Sequence, residues 1–189
     1  MVKNHRIGLA SKSPRRLQLL AGAGLQVTVV PSRAEPILST HGSGEDQALA
    51  SALAKLPLRT GEFPTLSADT VVHLADECFG KPAHTDQAIR MLKQLSGCAH
   101  QVTTAVAIRH PQGVVSFSVT STVHFRQLSK GEIIHYVASG EPMDKAGGYG
   151  IQGLGAGLIE RVEGSHTAVV GLPLSETLRT LHNLGVHRQ

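Results

Sequence analysis

Ile7-Gly8-Leu9-Ala10-Ser11-Lys12-Ser13-Pro14-Arg15-Arg16-Leu17-Gln18-Leu19-Leu20 passes from a short apolar run into helical periodicity within a few residues. Ile7 to Ala10 reads as a short buried strand, and the pattern after Ser13 predicts a helix from about Pro14 to Ala21, stopped by Gly22 and Gly24. Ser13 suits the N-cap, and Pro14 suits the first helical position, where a missing amide hydrogen is no loss. Unpaired amides at that terminus and the positive end of the helix dipole favour an anion. Arg15 and Arg16 add planar, charge-assisted donors. The segment reads as a phosphate site, against the plainer reading of a solvated basic face on an amphipathic helix.

Outward from this unit the chain alternates elements. Leu25 to Val30 reads as a second strand, Pro31 to Gly44 as a polar loop, and Glu45 to Leu56 as a helix ended by Pro57. Thr65 to Leu74 is the central strand, interrupted by Ser67, Asp69 and Thr70, whose polar groups are costly in a core unless paired or used. After the turn Gly80-Lys81-Pro82, Thr85 to Leu95 has amphipathic spacing with Ala88, Met91, Leu92 and Leu95 on one side. Gln101 to Arg109 and Val114 to Arg126 read as antiparallel strands, and Glu132 to Ser139 as a helix. The glycine-dense tract Glu141 to Gly157 predicts a shaped loop. Leu158 to Val162 and Thr167 to Val170 read as short strands, Gly171-Leu172-Pro173 as a turn, and Leu174 to Leu184 as a closing helix. The alternation predicts an α/β (α+β) protein with a central mixed β-sheet. No linker divides residues 1–189, so one domain is expected, with two lobes around a cleft lined by the polar loops.

Composition narrows the function classes. The chain has 189 residues, enough for one substantial core, and 41% are hydrophobic. No apolar stretch approaches a membrane span, and the run before Ser11 is too short for a secretory core, so a cytoplasmic protein is expected. Lysine and arginine total 18 against 14 acidic residues, a formal charge of +4. The basic residues are spread along the chain and only 3% of residues are aromatic, which argues against a nucleic-acid strand and for a small phosphorylated ligand. Cys78 and Cys98 carry no paired-cysteine metal signature, and the 11 histidines show no zinc spacing.

Asp69, beside a strongly apolar strand, is the first catalytic candidate: a carboxylate there can hold a divalent ion or accept a proton from water, and the alternative is a strand-end capping aspartate. Thr70 either positions a nucleotide or fills a β site. Glu35 is placed to join Asp69 around Mg²⁺ or Mn²⁺, since hard oxygen ligands and phosphate oxygens together satisfy such cations. Lys81 can neutralise a departing pyrophosphate. In Asp144-Lys145-Ala146-Gly147-Gly148-Tyr149-Gly150-Ile151-Gln152-Gly153 the glycines permit a tight path near a ligand, and Gln152 carries an amide donor and acceptor able to read a base edge. The alternative there is a structural glycine loop. Neither a P-loop nor a dinucleotide GxGxxG is present.

Six ordered motifs carry a resemblance: Ser11-Lys12-Ser13-Pro14-Arg15-Arg16, Ala68-Asp69-Thr70-Val71-Val72, Gly80-Lys81-Pro82, Leu95-Ser96-Gly97 with His100, Thr122-Val123-His124-Phe125, and Val169-Val170-Gly171-Leu172-Pro173-Leu174. Together they resemble the Maf family within the Maf/HAM1-type nucleotide pyrophosphatases, over nearly the whole chain. The resemblance implies an elongated α/β fold with a cleft, often a homodimer, cleaving nucleoside triphosphates to monophosphate and pyrophosphate with a divalent cation. The motif with Asp144 to Gly147 and Gln152 is similar to the branch acting on dTTP and UTP. By the same resemblance Asp69 is the proton acceptor, Arg15, Thr70 and Gln152 select substrate, and Ser11, Arg16, Glu35 and Lys81 match further pocket positions. Three positions depart from the pattern: Ala34 stands where the family carries Asp, Lys55 is the one candidate for a phosphate lysine whose usual Lys-Ala pair is missing, and Ala105 replaces a glycine. The competing reading is a nucleotide- or nucleic-acid-binding regulatory protein with little hydrolytic activity.

Overall fold

The computed structural model describes residues 5–33, 43–59 and 61–187. In chain order the elements are β1 (Arg6–Leu9), α1 (Pro14–Gly22), β2 (Gln26–Val29), α2 (Gly44–Lys55), β3 (Thr65–Leu74), β4 (Glu77–Phe79), α3 (Thr85–Leu95), β5 (Ala99–His110), β6 (Gly113–Phe125), α4 (Lys130–Ala138), β7 (Ile159–Glu163), α5 (His166–Val170) and α6 (Leu174–Asn183). The strands form one mixed seven-stranded sheet in the order β2-β1-β3-β5-β6-β7, with β4 paired to β3. β2, β1 and β3 run parallel, and β3, β5, β6 and β7 are successively antiparallel. The parallel start is permitted by the connection, because parallel neighbours need a crossover and α1 supplies one between β1 and β2.

Apolar spacing explains the layers. In α3, Ala88, Met91, Leu92 and Leu95 are the buried residues, at the i, i+3, i+4, i+7 spacing of one helix face. On β3, successive side chains alternate between the sheet's two faces. Leu66 and Ala68 join Ile7, Leu20, Leu172 and Leu181 in one core, while Val72 on the same face joins Leu92, Phe125, Ile133 and Tyr149 in a second. Val71 faces the other way and packs with Ala48, Ala52 and Leu56 of the α2 segment in a third. Ala105, where the family pattern has glycine, is fully buried in that third cluster and lies opposite Asp69 in the ladder. Its methyl group contributes to packing under α2.

The structure departs from sequence expectation in three places. Thr167 to Val170 is not a strand but lies in α5. Its β-branched composition favours a strand, yet the Ser165 hydroxyl accepts from the Ala168 amide at the helix start and Gly171, at φ 129°, ends it. The short strand β4 adds a hairpin that the polar residues after Leu74 did not signal. Ser13 stands at the N-cap position of α1, but its hydroxyl makes no capping bond, so the first-turn amides are left to other partners.

His100 anchors the second core. It is buried, meets Phe125 and Tyr149 edge to face at 5.0 and 5.3 Å, and its Nε2 lies 2.7 Å from the Tyr149 hydroxyl. Burial pushes its imidazole down to about 4 from the ordinary 6.5, with His124 and His73 adding to the effect against a backbone bond at Cys98. Between those values the unfolded chain binds a proton that the folded chain refuses. The stability contributed at neutral pH is therefore lost as pH falls from 6.5 toward 4, and levels off below. Urea melts across this window should show the wild-type protein losing stability more steeply than His100→Gln, with a difference in slope approaching about 1.4 kcal/mol per pH unit.

Candidate active site

The site begins at a gap in the sheet. β1 pairs with β3 only at Thr65 and Leu66, and β4 pairs with β3 only from Val72 onward. Between them, among the described residues, Ser67 to Val71 has its ladder partner on the β5 side alone. This open edge is the floor of a cleft of ≈ 570 Å³, within the range of small-molecule sites. The cleft lies beyond the C-terminal end of β1, where the chain turns into α1. The edge presents side chains from both faces of β3.

From one face comes Asp69, buried and paired with the ammonium of Lys55, the last residue of α2. The Ser67 hydroxyl donates to the Ala52 carbonyl at 2.6 Å and ties the same strand to the same helix. Lys55 therefore enters the cleft in register with Asp69, although Leu56 follows it where the family pattern has alanine. From the other face comes Thr70, whose hydroxyl is 2.8 Å from that of Thr104 and 3.1 Å from an Nη of Arg16. Arg16 is buried. Its Nε donates to the Gly171 carbonyl at 2.8 Å and its other Nη to the Ser11 hydroxyl at 3.1 Å, so one guanidinium joins the start of α1, β3 and the end of α5. Thr104 in turn donates to the Ala168 carbonyl at 2.7 Å, locking α5 over β5.

The walls are basic. Lys12 and Lys81 are exposed, Arg15 is half-buried, and the exposed Arg33 follows β2 with its amide bonded to the Lys55 carbonyl at 3.1 Å. Ser11 and Ser13 lie at the mouth, with the Ser13 amide donating to the Ser11 hydroxyl at 3.2 Å. Arg15 reaches across to Asp144 at 3.2 Å. Burial pushes the Asp144 carboxyl up, but Lys145 and Arg15 outweigh it and hold the carboxyl below its usual range. Such an exposed pair is worth little, so a phosphate can compete for Arg15. The Gly147 amide donates to the Gly80 carbonyl at 3.1 Å, joining the glycine tract to the turn that carries Lys81. Gln152 lies exposed on the cleft lining beyond the buried ring of Tyr149.

Ser11, Ser13, Arg15, Arg16, Lys55, Asp69, Thr70, Lys81 and Gln152 thus line one cleft. Glu35 and the neighbouring Ala34 lie outside the described residues. Sequence reasoning did not single out Arg33, Lys145, Tyr149 or the stretch Val169 to Gly171 as cleft lining. Lys145 and Tyr149 stand inside the quoted glycine tract, and Val169 to Gly171 stand inside a quoted motif, but the strand-like composition of Val169 and Val170 gave no sign that they line the cleft. Among the described residues no three His, Cys, Asp or Glu side chains converge on one point. Among the described residues Asp69 is the buried carboxylate of the cleft, and one such group fits a divalent cation that takes one or two carboxylates and completes its shell with other oxygens.

Comparison with known proteins agrees in extent with this architecture. The family described as Maf-like protein matches residues 6–184. The dTTP/UTP pyrophosphatase of Aquifex aeolicus is 39% identical over 188 residues, covering 96% of each chain. The dTTP/UTP pyrophosphatase of Methylobacillus flagellatus is 43% identical over 188 residues, covering 96% of this chain and 94% of its own. The nucleoside triphosphate pyrophosphatase of Haemophilus ducreyi is 40% identical over 186 residues and 94% of each chain. Among solved structures, the Ham1 protein of Staphylococcus aureus aligns at 14% identity and TM-score 0.41, covering 82% of this chain and 79% of that one.

The buried Lys55–Asp69 pair makes a stability prediction. Removing one partner strands the other charge, so Lys55→Ala should destabilise the fold by about 3 kcal/mol in denaturant melts. Combining it with Asp69→Asn should recover part of that loss, and strictly additive effects would count against the pairing.

Proposed function

This chain belongs to the Maf-like protein family, and on that premise we propose that it is a nucleoside triphosphate pyrophosphatase that converts dTTP and UTP to the monophosphate and pyrophosphate. The observation that carries the reading is one buried carboxylate, Asp69, set on an open strand edge beneath Lys12, Arg15, Arg33 and Lys81. A triphosphate fits that arrangement: its charge meets the basic walls while its α-phosphorus faces the floor. A water oxygen attacks the α-phosphorus, and its proton passes to a carboxylate oxygen of Asp69. The bond to the αβ-bridging oxygen breaks, and its electron pair leaves on pyrophosphate. Lys81 and Arg15 stabilise the charge that develops on the leaving group, and Lys55 orients Asp69. Asp69 and Glu35, together with the phosphate oxygens, would hold a divalent ion, which would supply further stabilisation of the charge in the transition state.

Arg16 serves this reading differently from Arg15. Its guanidinium bonds to Gly171, Ser11 and Thr70 make it the cross-link that shapes the floor. Base selection falls to Gln152, whose amide matches the donor and acceptor edge of uracil or thymine. Homodimerisation, implied by the family resemblance, belongs to the same proposal and is tested by light scattering on the purified protein.

Pyrophosphate release from a nucleotide panel tests the reading directly. UTP and dTTP should be hydrolysed with kcat/KM at least about tenfold above CTP and GTP. Excess chelator should stop turnover, and Mg²⁺ or Mn²⁺ should restore it. Asp69→Asn, shown to be folded by circular dichroism, should lose activity by about a hundredfold or more. Tight nucleotide binding with no turnover in any of these conditions would instead favour a binding protein.

A further inference from the structure

Gln152 sits between two bracing points that the proposed reaction does not use. The segment turns back on itself so closely that a Cβ on Gly155 would meet the Gly150 carbonyl oxygen at 2.3 Å and the Tyr136 hydroxyl at 2.7 Å. Before Gln152, the Gly150 amide donates to the Tyr136 hydroxyl at 3.2 Å. After it, the amides of Leu154 and Gly155 donate to the two carboxylate oxygens of Glu141, at 2.9 and 3.0 Å. The Tyr136 hydroxyl closes the circuit by donating to Glu141 at 3.0 Å. Gly153, at φ 71°, passes over the same carboxylate, and a Cβ there would meet a Glu141 oxygen at 2.7 Å. Burial pushes the Glu141 carboxyl up, but the amides of Gly155 and Leu154 and the Tyr136 hydroxyl bring it below its usual range.

We propose that Glu141, acting with Tyr136, is the positioning residue that sets Gln152 for pyrimidine discrimination. The proposal rests on the reading of Gln152 as the base-selecting group. A carboxylate that gathers two consecutive amides and one hydroxyl fixes the path of the turn from Gly150 to Gly155. The reach of the Gln152 amide then depends on a group that does not touch substrate. A group displaced by about an ångström loses much of the benefit of orientation. Tyr136 is buried in the second core, so the brace is referred to α4 and not to the cleft lining.

The test is the ratio of kcat/KM for UTP to that for CTP in the full-length protein. A variant that merely destabilises the fold lowers the active fraction for both nucleotides, and its ratio stays unchanged. Glu141→Gln keeps the shape but turns an amide donor toward the backbone amides, and Tyr136→Phe keeps the core ring while removing the link to Gly150. Each should lower the ratio by about tenfold, chiefly through a higher KM for UTP. Gln152→Ala should flatten the ratio by itself, and Glu141→Gln should lower it no further in that background. If Gln152→Ala flattens the ratio but both brace variants leave it at the wild-type value, the brace is overturned and the role of Gln152 stands. An equal loss from the brace variants with and without Gln152 also overturns the proposal. A ratio untouched by Gln152→Ala overturns both readings together.

Discussion

The stretch of β3 between its pairing with β1 and its pairing with β4 is the constraint on which the rest of the site depends. A β-strand sends successive side chains to opposite faces, and on a strand paired along both edges Asp69 and Thr70 would lie in separate cores. Here one edge is open from Ser67 to Val71 among the described residues, so both faces reach the same cleft. The two faces then divide the work. Asp69 is set by α2 through Lys55, and Thr70 is set by α1 and α5 through Arg16, Thr104 and the carbonyls of Gly171 and Ala168.

The electrostatic arrangement follows from that geometry. A carboxylate removed from water is costly unless it is paired, and the Lys55 ammonium meets the cost at the floor. The cations at the mouth remain exposed or half-buried, where pairing is weak and exchange with phosphate oxygens is easy. A modest excess of four positive charges over the whole chain thus becomes a concentrated field at one opening, which draws polyanionic nucleotides toward it. The α1 terminus contributes in the same sense, because its Ser13 hydroxyl leaves first-turn amides uncapped.

The glycine-rich tract supplies what the strands cannot, a backbone that approaches itself and the cleft at van der Waals distance. Gly155 against Gly150 leaves no room for a side chain, and three amide donors close on Tyr136 and Glu141. On the other side, His100 holds the Tyr149 hydroxyl from within the core. The loop that carries Gln152 is therefore held through Tyr136 of α4 and His100 of β5, neither of which lines the cleft.

Periodicity and punctuation in the sequence determined the order of most elements and the mixed sheet, and pointed to several of the residues that line the cleft. Apolar spacing forces α1, α3 and the long strands, and an uncommon run of polar residues inside an apolar strand marks Asp69 and Thr70. The tract from Glu141 to Gly157 was legible as irregular because its glycine density disfavours long regular elements, and the chain there forms three short 3-10 turns, Glu141–Asp144, Ala146–Gly148 and Gly153–Leu158. The helix α5 was not legible, because Thr167 to Val170 has strand composition and only the Ser165 cap and the contacts with β5 make it helical. Nor was it legible that Lys55 meets Asp69, that Arg16 spends its nitrogens on protein acceptors, or that Glu141 holds the turn around Gln152. The contacts of Arg16 with Gly171, of Lys55 with Asp69 and of Glu141 with Leu154 join residues 155, 14 and 13 positions apart, and local propensity carries no information about which distant groups a fold brings within hydrogen-bond reach. The sequence by itself determined which residue types the site would contain. Tertiary structure alone decided their partners, because pairing depends on the open edge of β3 and on the helices packed against its two faces.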